Sequence, residues 1–359
     1  MSPSLRFPEF TGEWERCVLG DVLEFSNTRI NSSELNSGNY VSTENILQNF
    51  QGIVKARSIP EDTNVMAFSC GNILLSNIRP YLKKVWKATF NGGCSSDVFV
   101  LQANSNIDAD YLHYVVANDK FIGFVMNGAK GVKMPRGDKN QMKTYSLSLP
   151  SIKEQRKISR FLSFLDERIA VQNRLIDRLQ SLMIGIAQKI AHSNKPNVRI
   201  SDCLECSSSA LQESEVNKTG KYPVYGANGI VGYIDKYHTQ NEAIYIIKDG
   251  SGVGGVSYVT GKCSSTGTLN ILQAKNGHSL KYLYYLLKVF NFVPYKTGMA
   301  IPHIYFKDYG KAKIFCPAYP EQLEYVKLLS SIDGNLRIAL DSLKNFNLQK
   351  QYLLRHMLI

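Results

Sequence analysis

The sequence predicts an α/β chain of the α+β kind, with two similar globular domains separated by two long helices that form an antiparallel coiled coil. Three observations predict it. The stretch LPSIKEQRKISRFLSFLDERI from Leu149 aligns without gaps on CPAYPEQLEYVKLLSSIDGNL from Cys316, 167 residues later. Each copy opens a long run with apolar residues spaced four and three apart, the mark of a coiled-coil seam. The repeat also reaches into the segments ahead of each helix: GCSSDVFVLQA from Gly93 is like KCSSTGTLNILQA from Lys262, and GVKMP from Gly131 falls on GMAIP from Gly298. The chain is therefore expected to carry a quasi-twofold internal repeat.

Taken in order, the first domain is expected over residues 1–148. It has short strands rich in Val, Ile, Tyr and Phe, such as GNILLSNI from Gly71, broken by Gly and Asn turns. A helix, DADYLHYVV from Asp108, precedes GVKMP. The first spacer helix is expected over 149–192, opened by Pro150 and Ser151, with Ile158, Leu162, Leu165, Ile169, Ile176 and Leu179 on its seam and Gln172 as the polar member. A second domain over 193–316 repeats the first, with strand EAIYIIKDG from Glu242 and helix SLKYLYYLL from Ser279. The second spacer helix, 317–359, has Leu329, Ile332, Leu336, Leu343, Phe346 and Leu353 on its seam and Lys350 as the charged member. Each helix should be roughly 60 Å long at 1.5 Å per residue. Gly334 weakens the second helix by roughly 1 kcal/mol relative to Ala. Polar seam residues such as Gln172 and Lys350 fix register.

The net charge of +12 and pI near 9.2 point to a polyanionic partner. Positive charge is concentrated in the first spacer helix (eight Lys and Arg against four acids) and the second domain (fourteen against eight). In the nearly neutral first domain it forms two local clusters, RPYLKKVWK from Arg79 and KGVKMPRGDKNQMK from Lys130. Basic residues interleaved with aromatics and Asn suit phosphate and base-edge contacts. The start MSPSLRFPEF lacks the apolar core of a signal peptide, and no apolar run reaches the ~20 residues of a membrane helix. Seven scattered cysteines fit reduced thiols, so a cytoplasmic protein is expected.

Catalytic motifs do not hold up. GSGVGG from Gly250 has dinucleotide-loop spacing but is followed by the strand-like VSYVTGKC, so it reads as a glycine-rich hairpin loop. CLEC from Cys203 has redox or zinc spacing, yet no second pair and no assignable His partner. NIRPY from Asn77 is not the Asn-Pro-Pro-Tyr motif of adenine methyltransferases. No phosphate-binding P-loop is present, and no carboxylate pair suggests a catalytic site. The chain reads as a binder.

The Pro-x-x-x-Glu-Gln helix starts at Pro150, Glu154 and Gln155 and at Pro317, Glu321 and Gln322, each leading into Leu-Ser-x-x-Asp, resemble the specificity subunit of type I restriction-modification systems over essentially the whole length. GNILLSNIRPYLKK and YPVYGANGIVGY add to the likeness. The resemblance implies a non-catalytic subunit whose two target-recognition domains each read half of a split double-stranded DNA site. It implies an antiparallel coiled coil that spaces them and docks two methyltransferase subunits, with restriction and translocase subunits joining later. S-adenosylmethionine, ATP and Mg are then expected only on the partner subunits. The candidate DNA contacts are Arg79, Lys83, Lys84, Lys130, Lys133 and Arg136 in the first domain, and Tyr225, Asn228, Lys248, Ser251, Lys296 and His303 in the second. The alternative is a coiled-coil structural adaptor with two protein-binding modules; an enzyme using the Gly250 loop would need motifs the sequence lacks.

Overall fold

The computed structural model describes residues 3–358. It divides into two units. The first runs to Val171 and takes in the chain again from Leu343; the second is Gln172–Ser342.

In the first unit the chain forms β1 (Glu15–Val18), α1 (Leu19–Val22), β2 (Leu23–Phe25), β3 (Arg29–Asn31), β4 (Tyr40–Val41), β5 (Asn64–Phe68), β6 (Ile73–Ser76), β7 (Val85–Lys87), β8 (Gly92–Cys94) and β9 (Val98–Ala103). Then come α2 (Ala109–Val116), α3 (Asp119–Asn127), α4 (Lys139–Lys143), β10 (Ser146–Leu149) and the long α5 (Ile152–Ala191). An antiparallel sheet has the order β2-β9-β6-β7, and a mixed sheet the order β3-β5-β8-β4 with β4 parallel to β8. All four residues of β6 are buried, which explains the apolar run Ile73–Leu75 in place of alternation. Gly92 and Gly93 let β8 cross the chain closely: a Cβ on Gly92 would lie 2.0 Å from the Asn39 carbonyl oxygen.

The second unit repeats the plan with β11 (Val198–Arg199), α6 (Ile200–Cys203), β12 (Leu204–Ser208), β13 (Tyr222–Gly226), β14 (Gly229–Ile234), β15 (Glu242–Ile247), β16 (Val256–Thr260), β17 (Ser264–Ser265), β18 (Leu269–Ala274), α7 (Leu280–Val289), α8 (Phe306–Tyr309), β19 (Lys313–Ile314) and α9 (Tyr319–Met357). Its sheets are β12-β18-β15-β16, antiparallel, β14-β13-β17, with β13 parallel to β17, and the antiparallel pair β11-β19, the counterpart of β1-β10. The larger sheet matches β2-β9-β6-β7 strand for strand. Since all but two of the strand pairings are antiparallel and helices are segregated from the sheets, the fold is α+β.

Within each unit the long helices pair antiparallel. In the first, Lys350 near the end of α9 binds Asp166 of α5, and the Arg168 guanidinium lies 5.0 Å from the Phe346 ring centre. In the second, Gln172 Nε2 donates to the Ala339 carbonyl at 2.9 Å. All twelve apolar seam residues named above are buried or half-buried. Burial of a side chain such as Ile158, Leu162 or Leu329 contributes about 1.5–3 kcal/mol. Both polar seam residues have partners: Asp166 takes the Lys350 ammonium and the Tyr114 hydroxyl, the latter at 2.8 Å. Helix α9 continues through Gly334, whose missing side chain faces open space, so the glycine costs propensity but no packing.

The repeated Glu-Gln pair has a structural cause. Gln155 Oε1 accepts from the Asp108 amide at 2.8 Å and its Nε2 donates to the Pro150 carbonyl at 2.9 Å. Gln322 makes the same two bonds, to the Ser279 amide and the Pro317 carbonyl, each at 2.8 Å. Asp108 and Ser279 are the N-caps of α2 and α7, so one buried amide locks each spacer helix to the first turn of its domain helix. The glutamates differ. Glu154 is buried, held by Arg6 at 2.7 and 2.8 Å and Trp14 Nε1 at 3.3 Å, whereas Glu321 is exposed and accepts from Tyr325.

The chain's last turns belong to the first unit's core. Leu353, Leu354, Met357 and Leu358 pack with α2 and α3 residues in one cluster, and the Leu5 amide donates to the His356 carbonyl at 3.0 Å.

Candidate nucleic-acid interface

In the first unit the two basic clusters, some fifty residues apart, come together. The Arg79 amide donates to the Pro135 carbonyl at 2.8 Å, and Lys130 and Arg136 exchange backbone hydrogen bonds at 2.9 Å. The exchange closes a loop whose tip, Gly131–Met134, is exposed. Gly131 has φ +94°, the left-handed conformation that an L side chain resists. Arg79 and Lys83 are also left-handed, at φ 54°, flanking a 3₁₀ turn, Pro80–Leu82. Such strain, ~1–2 kcal/mol per residue, is held by the surrounding bonds and presents the two cations from a rigid turn.

The second unit builds the same crossing from different residues. The Gly250 amide donates to the Pro302 carbonyl at 3.0 Å, and Thr297 and His303 exchange backbone bonds at 2.9 and 2.7 Å. Gly298 has φ +86° in the place of Gly131. Val132 and Met299, the next residues, are both fully exposed (99% and 107%), so each tip offers a bare apolar side chain that no packing explains. The Gly250–Gly255 loop runs from strand β15 to strand β16, which makes it a hairpin connection.

The expected DNA residues are placed as follows. Arg79, Lys133, Lys130 and Arg136 are exposed on the crossing. Lys130 pairs with Asp138 at 2.8 Å and Arg136 with Asp97 at 2.9 Å; the Lys130 hydrogen bond pulls the Asp138 carboxyl below its ordinary range. Lys133 and Arg79 have no ion pair among the described residues. Lys83 and Lys84 fit less well. Lys83 pairs with Asp119 at 2.7 Å. Lys84 is half-buried, donates to the Thr43 carbonyl, and has its pKa lowered chiefly by burial. Of the second set, Lys296, Ser251 and His303 lie on the two crossing loops, and His303 Nδ1 is fixed by Asp249 at 2.6 Å. Lys248 is half-buried beside them, its backbone bonded to Thr268 and Ile304. Asn228 is exposed at the β13–β14 turn. Tyr225 is half-buried with its ring 5.8 Å from that of Tyr245, and burial raises its pKa, so its ring is mostly committed to packing. Sequence reasoning passed over Val132 and Met299; their shared place after a repeated glycine was the available signal.

A second surface lies on the helices. On α5, Phe161, Phe164 and Val171 in the first unit, and Leu175 and Leu182 in the second, are exposed, each one residue ahead of a buried or half-buried residue. Leu323, Leu328, Ile338 and Leu340 are exposed on α9 within the second unit. The five on α5 share one helix face, the kind of exposed apolar surface that suits a partner, whereas the four on α9 are spread around the helix. No helix among the described residues is long and apolar enough to cross a membrane.

Two α+β units whose larger sheets have matching strand order, each joined to long seam-paired helices and each presenting one rigid loop crossing, define a repeated recognition scaffold. The chain belongs to the family described as type I restriction modification DNA specificity domain, which matches residues 11–181 and 193–345. It is 29% identical over 126 residues to the type I restriction enzyme EcoDI specificity subunit of Escherichia coli. That match covers 34% of this chain and 28% of the relative, so it spans under a third of the relative's length. The fold is shared with the S subunit of a type I restriction-modification system from M. genitalium (TM-score 0.69, 17% identity, 100% of this chain and 99% of that one). It is also shared with a chain from a study of complex assembly and conformational transition of the type I R-M system (TM-score 0.55, 17% identity, 96% and 97%).

Proposed function

We propose that the chain is the non-catalytic DNA-recognition subunit of a type I restriction-modification complex. The domain of each unit reads one half of a bipartite duplex target, and α5 and α9 set the gap between the halves. The observation that carries this reading is the loop crossing built twice: Arg79 on Pro135 in one unit, Gly250 on Pro302 in the other, each beside a glycine-led exposed tip. Fixed backbone with variable side chains is what two different half-sites require, because phosphate contacts position a protein while base contacts specify the sequence. The tip cations Lys130, Lys133 and Arg136 meet phosphates; Lys296, Ser251 and His303 serve the other half, with Arg79 and Asn228 reaching toward bases. The exposed apolar face of α5, with the exposed apolar residues of α9, docks two methyltransferase subunits, and restriction and translocase subunits join that assembly. S-adenosylmethionine, ATP and Mg reside on those partners.

The test is binding by the complex assembled with its cognate methyltransferase subunits. Selection from a random duplex library is expected to return two short conserved blocks separated by a fixed, unread gap. Binding that shows no sequence preference would favour the structural adaptor instead.

A further inference from the structure

Cys203, His278 and Cys316 meet in the second unit at the root of α9. They come from three separate segments: the end of α6, the loop ahead of α7, and the strand end that leads into α9. Their two sulfurs and a ring nitrogen lie within 4.8 Å of one another. Cys203 is fully buried, Cys316 nearly so, and His278 is half-buried. Cys316 Sγ lies 3.5 Å from His278 Nδ1, and Gln322 Nε2 donates to the same sulfur at 3.3 Å.

The first unit supplies an internal control. The Asn104 amide bonds to the Val22 carbonyl, and the Lys275 amide to the Cys203 carbonyl, each at 2.9 Å. Asp108 and Ser279 bond to Gln155 and Gln322 in the same way, and Val18 pairs with Ser146 as Arg199 pairs with Lys313. These registers place Val22, Ile107 and Leu149 where the second unit has Cys203, His278 and Cys316. Val22 and Ile107 are buried in the first unit's core and Leu149 packs against it. One unit thus fills three adjoining places with aliphatic side chains. The other fills all three with ligand-bearing ones, at the same backbone positions.

We propose that Cys203, His278 and Cys316 form a binding site for one zinc-like divalent cation, held by two thiolates and one imidazole, with water as the fourth ligand. Thiolate and imidazole donors favour borderline-soft ions over magnesium or calcium. A tetrahedral ion with Zn–S of about 2.3 Å and Zn–N of about 2.05 Å sets sulfur and nitrogen about 3.5 Å apart. The Cys316–His278 separation already has that value. On binding, both thiols release their protons to solvent, and the ion replaces them as the sulfurs' partner. Gln322 steadies the Cys316 sulfur from outside the coordination sphere, as outer hydrogen bonds do at metal sites. The ion clips α9 to its domain, a role filled by apolar packing in the first unit.

The test uses the reduced, chelator-treated full chain titrated with cobalt(II) and then zinc(II). One equivalent of cobalt is expected to give a thiolate-to-cobalt charge-transfer band and the intense visible bands of a tetrahedral ion. Zinc should bleach both and raise the melting midpoint. The triple variant Cys203→Val, His278→Ile, Cys316→Leu installs the first unit's residues; it should fold and lose the bands. Cys316→Ser alone should weaken the charge transfer and keep the fold. The proposal is overturned if the native chain shows no such band, or if the folded triple variant keeps it at full strength through other thiols. It is equally overturned if mass analysis finds Cys203 and Cys316 joined as a disulfide in protein purified under reducing conditions.

Discussion

Replacing Lys130, Lys133 and Arg136 together with Ala removes three of the four exposed cations of the first loop crossing, leaving Arg79, without touching its backbone. The two hydrogen bonds between residues 130 and 136 are main-chain and survive the change. Each phosphate contact contributes about 0.9 to the slope of log K against log salt, so three contacts contribute about 2.7. Between 50 and 200 mM salt that slope is worth about 40-fold in affinity. The variant should therefore lose about 40-fold less affinity than the native complex over that range. Lys133→Ala alone should flatten the slope by about 0.9. The triple variant should also bind more weakly at low salt than this count implies, because Asp97 and Asp138 lose the partners that now neutralise them. Fluorescence anisotropy of a labelled target duplex, read with the assembled complex at several salt concentrations, measures both quantities. An unchanged slope in the triple variant would remove this loop from the DNA face.

Three further outcomes are expected. His113 is partly buried beside Lys350, Asp166, Lys87 and Asp110, its Nδ1 has no hydrogen-bond partner among the described residues, and burial lowers its pKa to about 4. Below pH 6.5 the unfolded chain takes up a proton that the folded one refuses, so stability falls as pH drops from 6.5 toward 4, by at most about 3 kcal/mol. Urea midpoints of the native chain and His113→Leu should converge at neutral pH apart from a constant offset and separate in acid; parallel curves would contradict this. Gln155→Met leaves the Asp108 amide and the Pro150 carbonyl without their partner and should cost about 1–3 kcal/mol in the same assay. Gly298→Ala should disturb its loop more than Gly131→Ala, since the new Cβ would lie 2.4 Å from the Ile301 oxygen against 3.3 Å from the Met134 oxygen. Equal losses of DNA affinity in the two variants would argue against that steric reading.

The architecture was legible because it is written twice in the sequence. A gapless repeat and two heptad seams depend only on local spacing, and so did the glycine-led loop tips. What stayed hidden depends on contacts between distant segments. The sequence offered Cys203 only Cys206 as a partner, whereas the fold brings it His278 and Cys316, some seventy-five and more than a hundred residues away. Nothing local says that Glu154 is buried under Arg6 and Trp14 while its repeat equivalent Glu321 is exposed. Likewise, the last turns of α9 read as spacer, yet Leu353 to Leu358 complete the first unit's core. The basic residues were found as types. Which of them face outward was settled by ion pairs such as Lys83 with Asp119, which no spacing rule supplies.

The most direct test of the account is to exchange residues 193–316 for the corresponding domain of a family member with a known target and to map methylated bases made by the assembled complex. The chimera keeps α5, α9 and the whole domain of the first unit. The account predicts that one half of the recognised site changes to that of the donor, while the other half and the gap between them stay as they were. A folded, active chimera in which both halves change, or neither does, would contradict the claim that each unit reads its own half.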